Sequence, residues 1–334
     1  MRATKLLLVE GLPGAGKSTL AHALLRQLGM HGIAARWWYE EVVGHPVYCF
    51  RDLPELRRVV ADLEAGEHER VIVAALARWR YFAATVAAGD EVVIVDGALL
   101  GYLTWSLFPF DVSEAVILAY VAEVVDILRI AEPTVIYLRH DDMAVSWQRL
   151  CERRGESWSR GAIERATHSP YGVRHGLAGF DGLVAYWTAY RAIADKASAR
   201  LPFPKLVLGA NFGAWSGTIF QAMGFWGLAM LAEPRASPIE LAWYVGTYGH
   251  NELDSNGQAE VVLRDGWLYL AGVPQFWPQN RLLYLAMGEY AVESFPFVAR
   301  FEDGGMMLTG PPLLSGQPGG RWVRQGTDSS HGTP

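Results

Sequence analysis

The sequence predicts an α/β fold, a parallel sheet with helices on both faces, followed by a small antiparallel β domain. Three observations predict it. Short apolar runs recur at residues 5–9, 33–38, 91–95, 134–138 and 205–208, each separated from the next by a helix-length stretch, as expected of strands covered on both faces. A glycine-rich turn joins the first run to a stretch with helical apolar spacing at Leu20, Leu24, Leu25 and Leu28. Beyond Ala232 the pattern changes to short runs broken by turn signals.

The first run leads into V-E-G-L-P-G-A-G-K-S-T, in which Gly11 to Ser18 fits G-x-x-x-x-G-K-[ST]. The chemistry follows from what a polyphosphate needs. Gly11, Gly14 and Gly16 allow backbone conformations in which successive N–H groups, including those of Leu12, Pro13's neighbours and Ala15, turn inward around phosphate oxygens. Lys17 then lies over the β- and γ-phosphates, the Ser18 hydroxyl is placed to ligand Mg²⁺, and Thr19 continues the first helical turn. That helix points its positive end at the same anions. The four fixed positions recur by accident in roughly 1% of chains this long. The strand, loop and helix setting makes the match a nucleoside triphosphate site of the P-loop NTPase type.

The second run ends in W-W-Y-E-E. A carboxylate in hydrogen-bond reach of an acceptor hydroxyl takes up its proton during phosphoryl transfer. Glu41 or Glu40 is placed to do this. The third run is V-V-I-V-D, and a carboxylate at the end of a neighbouring buried strand is what a phosphate loop needs to hold Mg²⁺. Asp96 takes that role with Ser18.

Between these two strands lies an apolar helix that carries Arg78 and Arg80 among Trp79, Tyr81 and Phe82. Arg78 and Tyr81 are candidates to hold an anionic group beside a stacked ring. Trp37, Trp38 and Trp105 are expected to pack in the core. A helix is expected over residues 113–130 and another over 141–154. The second carries Arg149, Arg153 and Arg154 and breaks at Gly155, the make-up of a lid over about residues 149–176 whose arginines neutralise charge on a transferring phosphoryl group.

Residues 206–232 carry no charge, enough length to cross a bilayer. Their polar residues and five glycines fit a buried strand followed by a buried helix better, so no membrane is expected. Residues 233–238, E-P-R-A-S-P, read as a linker. Strands follow at 241–248, 259–263, 267–270, 282–285, 297–301 and 306–308, with hairpin turns at Asp265-Gly266 and Asp303-Gly304-Gly305. The domains are therefore 1–232, the small β domain 239–313, and a flexible Gly-, Ser- and Pro-rich tail at 314–334.

At 334 residues and 51% hydrophobic content, two domains with a sizeable core are expected. A net charge of −6 without a basic block argues against a nucleic-acid partner. Two cysteines, Cys49 and Cys151, far apart in sequence, suggest neither a disulfide framework nor a zinc site, and fit a reducing cytoplasm. The first apolar run is too short for a signal peptide. A homodimer is left open.

Together these residues resemble the thymidylate kinase and deoxyribonucleoside kinase group. V-E-G-L-P-G-A-G-K-S-T is similar to that group's E-G-x-x-G-x-G-K-S-T, and Tyr39-Glu40-Glu41 lies where the group has a Glu-Pro element. Ala75 and Arg78 fall where thymidylate kinases carry an A-x-R helix, Val95-Asp96 resembles the strand-end acidic motif, and R-L-C-E-R-R-G-E resembles the lid. The resemblance covers roughly residues 1–231, and its specific part is the loop. It implies Glu41 as base or substrate-positioning acid, Arg78 as a substrate ligand, Asp96 as a magnesium or substrate ligand, and Arg149, Arg153 and Arg154 as the lid. Gly97 stands where the group has arginine, and no proline follows Glu40 or Glu41, so nucleotide specificity does not carry over. Tyr244-Val245-Gly246-Thr247-Tyr248, V-V-L-R-D-G-W-L-Y-L from Val261 and Phe301-Glu302-Asp303 resemble the lipocalin-like β domain that follows β-lactamase-related serine hydrolases, which implies a half-barrel with a packing, lid or dimerisation role, or one that binds part of the substrate.

The expected activity is transfer of the γ-phosphate of ATP, with Mg²⁺, to a small acceptor: a nucleoside, a nucleoside monophosphate or a hydroxylated natural product or antibiotic. The alternative is a nucleotide-gated binding protein whose β domain recruits a partner.

Overall fold

The computed structural model describes residues 4–210, 215–250, 257–302 and 304–325. It forms two compact units, Met1–Leu231 and Ala232–Pro334.

In the first unit β1 (Leu6–Gly11), β2 (Ala35–Trp38), β3 (Val92–Asp96), β4 (Thr134–Arg139) and β5 (Lys205–Gly209) form one parallel sheet in the order β2-β3-β1-β4-β5. The central position of β1 explains its unbroken apolar run: all six residues are buried, because helices cover both faces of a parallel sheet. Those helices are α1 (Lys17–Met30), α2 (Leu53–Glu64), α3 (His68–Ala88), α4 (Leu100–Leu103), α5 (Glu114–Leu128), α6 (Met143–Arg154), α7 (Glu156–Thr167), α8 (Pro170–Arg174), α9 (Gly179–Arg200) and α10 (Trp215–Phe225). The unit has the three-layer P-loop NTPase architecture that the sequence predicts.

Register places the site. Val9 of β1 pairs with Asp96 of β3, and Trp38 of β2 pairs with Val95. The glycine-rich loop, Asp96 and the two acids after Trp38 therefore leave the sheet at one end, the carboxyl ends of neighbouring strands, where open α/β sheets bind ligands.

The uncharged segment 206–232 departs from expectation. It holds β5 and an eleven-residue helix, α10, too short to span a bilayer. Nor is that helix buried: only Thr218, Ala222 and Met223 are, while Phe220 is exposed. At the sheet edge it meets the core along one side only. Among the described residues one helix, α3, is long and apolar enough to cross a membrane; its Trp79 and Ala83 are fully buried.

The second unit is a closed barrel rather than a half-barrel. After α11 (Pro238–Tyr244) come β6 (Gly246–His250), β7 (Gln258–Arg264), β8 (Trp267–Ala271), β9 (Asn280–Ala286), β10 (Glu289–Val292), β11 (Val298–Glu302), β12 (Gly305–Thr309) and β13 (Gly320–Arg324), each antiparallel to the next, with β13 returning to β6. Exposed and buried residues alternate from Gln258 to Val261 in β7, and Tyr248, Leu270, Leu282, Tyr290, Leu308 and Trp322 are among the buried side chains of this unit.

Two expectations are corrected here. The segment from 314 is not all tail, because its Trp322 is fully buried and Gly320–Arg324 supplies the closing strand; residues 326–334 lie outside the described ones. The stretch 241–248 is half helix, since the Ser237 hydroxyl accepts from the Glu240 N–H and Pro238 occupies the first helical turn. The Asp265-Gly266 hairpin is present, both residues having positive φ between the paired Arg264 and Trp267. Of the second turn, Asp303 lies outside the described residues.

Candidate active site

The loop after β1 needs its glycines. Gly11, Gly14 and Gly16 have φ of 154°, 78° and 90°, where a Cβ is disfavoured. Space is closed as well. A Cβ on Gly11 would stand 2.6 Å from the Leu138 carbonyl oxygen, and one on Gly16 would collide with the ring of Trp215. Leu12, Pro13 and Ala15 complete the turn: the Ala15 N–H donates to the Leu12 carbonyl at 3.1 Å, and His140 Nε2 donates to that of Pro13 at 3.2 Å. Lys17, Ser18 and Thr19 open α1 and are buried.

Asp96, fully buried, is held at both oxygens. The Ser18 hydroxyl donates to Oδ2 at 2.6 Å and the Trp37 indole N–H donates to Oδ1 at 2.9 Å. Trp37 is itself fixed by stacking on His22, with ring centroids 5.3 Å apart. Burial, and then the nearby charge of Glu40, push the Asp96 carboxyl up to about 7, against the pull of Ser18, Lys17 and Trp37.

Glu40 reaches Lys17, its Oε2 lying 3.3 Å from the ammonium. Burial works against the Lys17 charge, but Glu40, Asp96 and Glu10 outweigh it and hold the ammonium above its ordinary range. Glu41 is half-buried. With Tyr39 and Glu40 it contributes to the field at Arg154.

The segment expected to form a lid folds into α6 and α7, joined at Gly155 with φ of 89°. Asp142 caps α6 through the Val145 N–H at 3.0 Å. Its three arginines separate. Arg154 is half-buried, lies over the Trp158 ring at 5.5 Å and has its pKa lowered to about 10 by burial and by Arg153, opposed by Tyr39, Glu41 and Glu40. Arg149 and Arg153 are exposed.

Arg78 on α3 donates from Nε to the Tyr48 carbonyl at 3.1 Å. It lines a cavity of about 330 Å³ with Tyr48, Phe50, Arg51 and Arg58. The Tyr48 hydroxyl donates to the Glu40 carbonyl at 2.7 Å, so the cavity wall is tied to the segment that carries the acid. Tyr81 does not join it. It is 71% exposed, because the buried stripe of α3 runs through Val71, Ala75, Trp79, Phe82 and Val86 and leaves Tyr81 on the solvent side.

Two contributors lay outside the sequence-based set. Glu10 is completely buried, and its carboxylate accepts from the Leu99 and Leu100 N–H groups at 2.9 and 3.0 Å. Its signal was a lone acid at the end of an otherwise apolar buried strand. Trp37, expected only to pack, hydrogen-bonds Asp96, and nothing in its spacing distinguishes it from Trp38.

No family model matches the sequence, and no curated protein matches it. Among solved structures the chain is similar to the YorR protein from Bacillus subtilis in complex with phosphorylated GDP, at 13% identity over 66% of this chain and 95% of that one, with a TM-score of 0.37. Deoxyadenosine kinase from M. mycoides with bound dCTP is 16% identical, over 66% and 98%, with a TM-score of 0.37. Thymidylate kinase from Ehrlichia chaffeensis is 11% identical, over 66% and 96%, with a TM-score of 0.38. Likenesses this distant assign no activity to this chain.

Proposed function

We propose that the first unit is a Mg²⁺- and ATP-dependent phosphotransferase acting on a small molecule with a free hydroxyl. The observation that carries this is the grouping of Lys17, Ser18, Asp96 and Glu40, with Lys17 and Glu40 3.3 Å apart and Ser18 bonded to Asp96. Loop amides and Lys17 hold the triphosphate. Ser18 and Asp96 fit a magnesium ion, since Mg²⁺ takes hard oxygen donors and these two oxygens already lie 2.6 Å from each other. Bound there, the ion would neutralise charge on the β- and γ-phosphates.

Glu40, rather than Glu41, takes the acceptor proton. When the triphosphate arrives, Lys17 turns from Glu40 to the phosphates, and the carboxylate is left facing the acceptor. The acceptor oxygen forms the new P–O bond, its proton passes to Glu40, and the bond from the γ-phosphorus to the β–γ bridging oxygen breaks with ADP leaving. Arg154 closes over the transferring group, and Glu41 pairs with the lid. The Arg78 cavity next to Tyr48 takes the far end of the acceptor, with Arg78 to meet a polar group there, while Glu55 in the same wall pairs with Arg51 and Arg58.

Thermal-shift screening with an ATP analogue across nucleosides, monophosphates and hydroxylated natural products names the acceptor, because a bound ligand raises apparent stability by mass action. Transfer to the hit is then compared in Lys17→Ala, where turnover should fall at least about 10²–10³-fold, the scale for losing one charge-stabilising donor. Undiminished turnover in that variant rejects the assignment, as does a wild-type protein that binds nucleotide and transfers phosphate to nothing.

A further inference from the structure

We propose that Glu10 is a positioning residue, whose buried carboxylate holds residues 97–100 and through them sets both Asp96 and the floor beneath Glu40. The proposal rests on the phosphotransfer reading of this site. Glu10 is the fifth residue of β1 and wholly inaccessible to solvent. Each of its oxygens accepts one backbone N–H, Oε1 from Leu99 and Oε2 from Leu100.

The segment so held follows Asp96 directly. Its near end is fixed where the Gly97 N–H donates to the Val9 carbonyl at 2.9 Å, and its far end where the Tyr190 hydroxyl donates to the Leu100 carbonyl. Glu10 supplies the middle tie. Above that segment lie the groups proposed to react: a Cβ on Gly97 would collide with Glu40 Oε2 and stand 2.7 Å from Lys17 Cε. Any movement of residues 97–100 therefore displaces Asp96 from Ser18 and alters the seat of Glu40.

A fully buried acid is costly unless its lone pairs are filled. Capping does not account for it, because α4 has four residues and offers little to stabilise. What the carboxylate gains is a fixed distance between the phosphate loop, which leaves β1 one residue later, and the strand end that carries Asp96. The two backbone donors and the attraction of Lys17 offset its burial only in part, and the carboxyl is left raised to about 7.

The test is calorimetric titration of ADP with and without Mg²⁺, which needs no acceptor. Glu10→Asp, too short to reach both N–H groups, should keep Mg²⁺-free ADP affinity within about threefold of wild type, while the gain in affinity on adding Mg²⁺ falls about 10-fold or more, the scale for losing an outer support of a metal ligand. Glu10→Gln, isosteric and still able to accept one N–H, should fall between. A Mg²⁺ gain unchanged in both variants overturns the proposal. So does equal weakening with and without Mg²⁺, which is what a merely structural role would give. If neither variant folds, amide exchange in the wild-type protein decides: slow exchange at Leu99 and Leu100 without nucleotide supports the tie, and fast exchange there overturns it. A wild-type chain that binds no ADP rejects the nucleotide site itself, a different result.

Discussion

Glu40 reaches across Gly97 to place its Oε2 3.3 Å from the Lys17 ammonium. The contact explains why residue 97 is glycine. Its φ is +64°, a region that costs other residues roughly 1–2 kcal/mol, and a Cβ there would push aside the ends of two flexible side chains rather than backbone. Gly97→Ala should therefore separate stability from activity. Melting should drop by a few degrees, while turnover falls about 10-fold or more. Equal activity in the two proteins would show that neither Glu40 nor Lys17 needs its present place.

The two acids after Trp38 should differ in effect. Glu40→Gln removes the group beside Lys17 and should lower kcat by about 10²–10⁴-fold with little change in nucleotide affinity, as expected for a lost general base. Glu41→Gln weakens the field at Arg154, and that at Tyr39 and Tyr48, and should act mainly through the lid, raising KM for nucleotide by a few fold. Steady-state kinetics on both variants decides, and a larger loss in Glu41→Gln would reverse the roles.

Trp37→Phe keeps the ring against His22 and deletes the N–H bonded to Asp96. Leaving one oxygen of a buried carboxylate without its donor costs about 1–3 kcal/mol. The variant should melt lower and show about 10-fold weaker Mg²⁺-dependent nucleotide binding. Circular dichroism melts and titration with Mg²⁺·ADP check the two effects separately.

The part of this legible in the sequence is the part written in local pattern. Five strands show as apolar runs because a parallel sheet buries both faces of each, and Asp96 stands out because four buried residues precede it. Glu10 and Trp37 could be seen but their partners could not, since their hydrogen bonds join residues 89, 90 and 59 positions apart. Tyr81 misled because i, i+3 spacing from Arg78 does not fix which stripe of the helix is buried; Trp79 and Phe82 do. In the second unit β13 escaped notice because its short apolar content, Trp322 and Val323, sits among glycines, and closure of the barrel is what buries Trp322.

Stability against pH should show two opposed trends. His45 is fully buried, stacked on Tyr48 at 4.3 Å, and burial pushes its pKa down to about 3, with Arg78 adding to the effect. His22 is likewise held at about 3 by burial and Arg26. Unfolded histidines bind protons near pH 6.5, so these two stabilise the fold above that pH, and their contribution is lost as pH falls toward 3. Glu10 and Asp96 run the other way. Burial raises both to about 7, so their contribution is full below the ordinary carboxylate range and is lost as pH rises through 7. Between about pH 4.5 and 6.5 each of these four groups changes stability by up to roughly 1.4 kcal/mol per pH unit, two in each direction, and His140, also lowered by burial, adds to the histidine side. The nucleotide-free protein should hence melt only slightly higher as pH rises across that window, the excess coming from His140. His45→Phe removes one of the two opposing groups while keeping a ring against Tyr48. Relative to wild type, it should gain about 2 kcal/mol at pH 5 compared with pH 7.5. Melting of both proteins at the two pH values tests this, and a variant whose difference from wild type is the same at pH 5 and pH 7.5 would mean that His45 takes up its proton in the folded state.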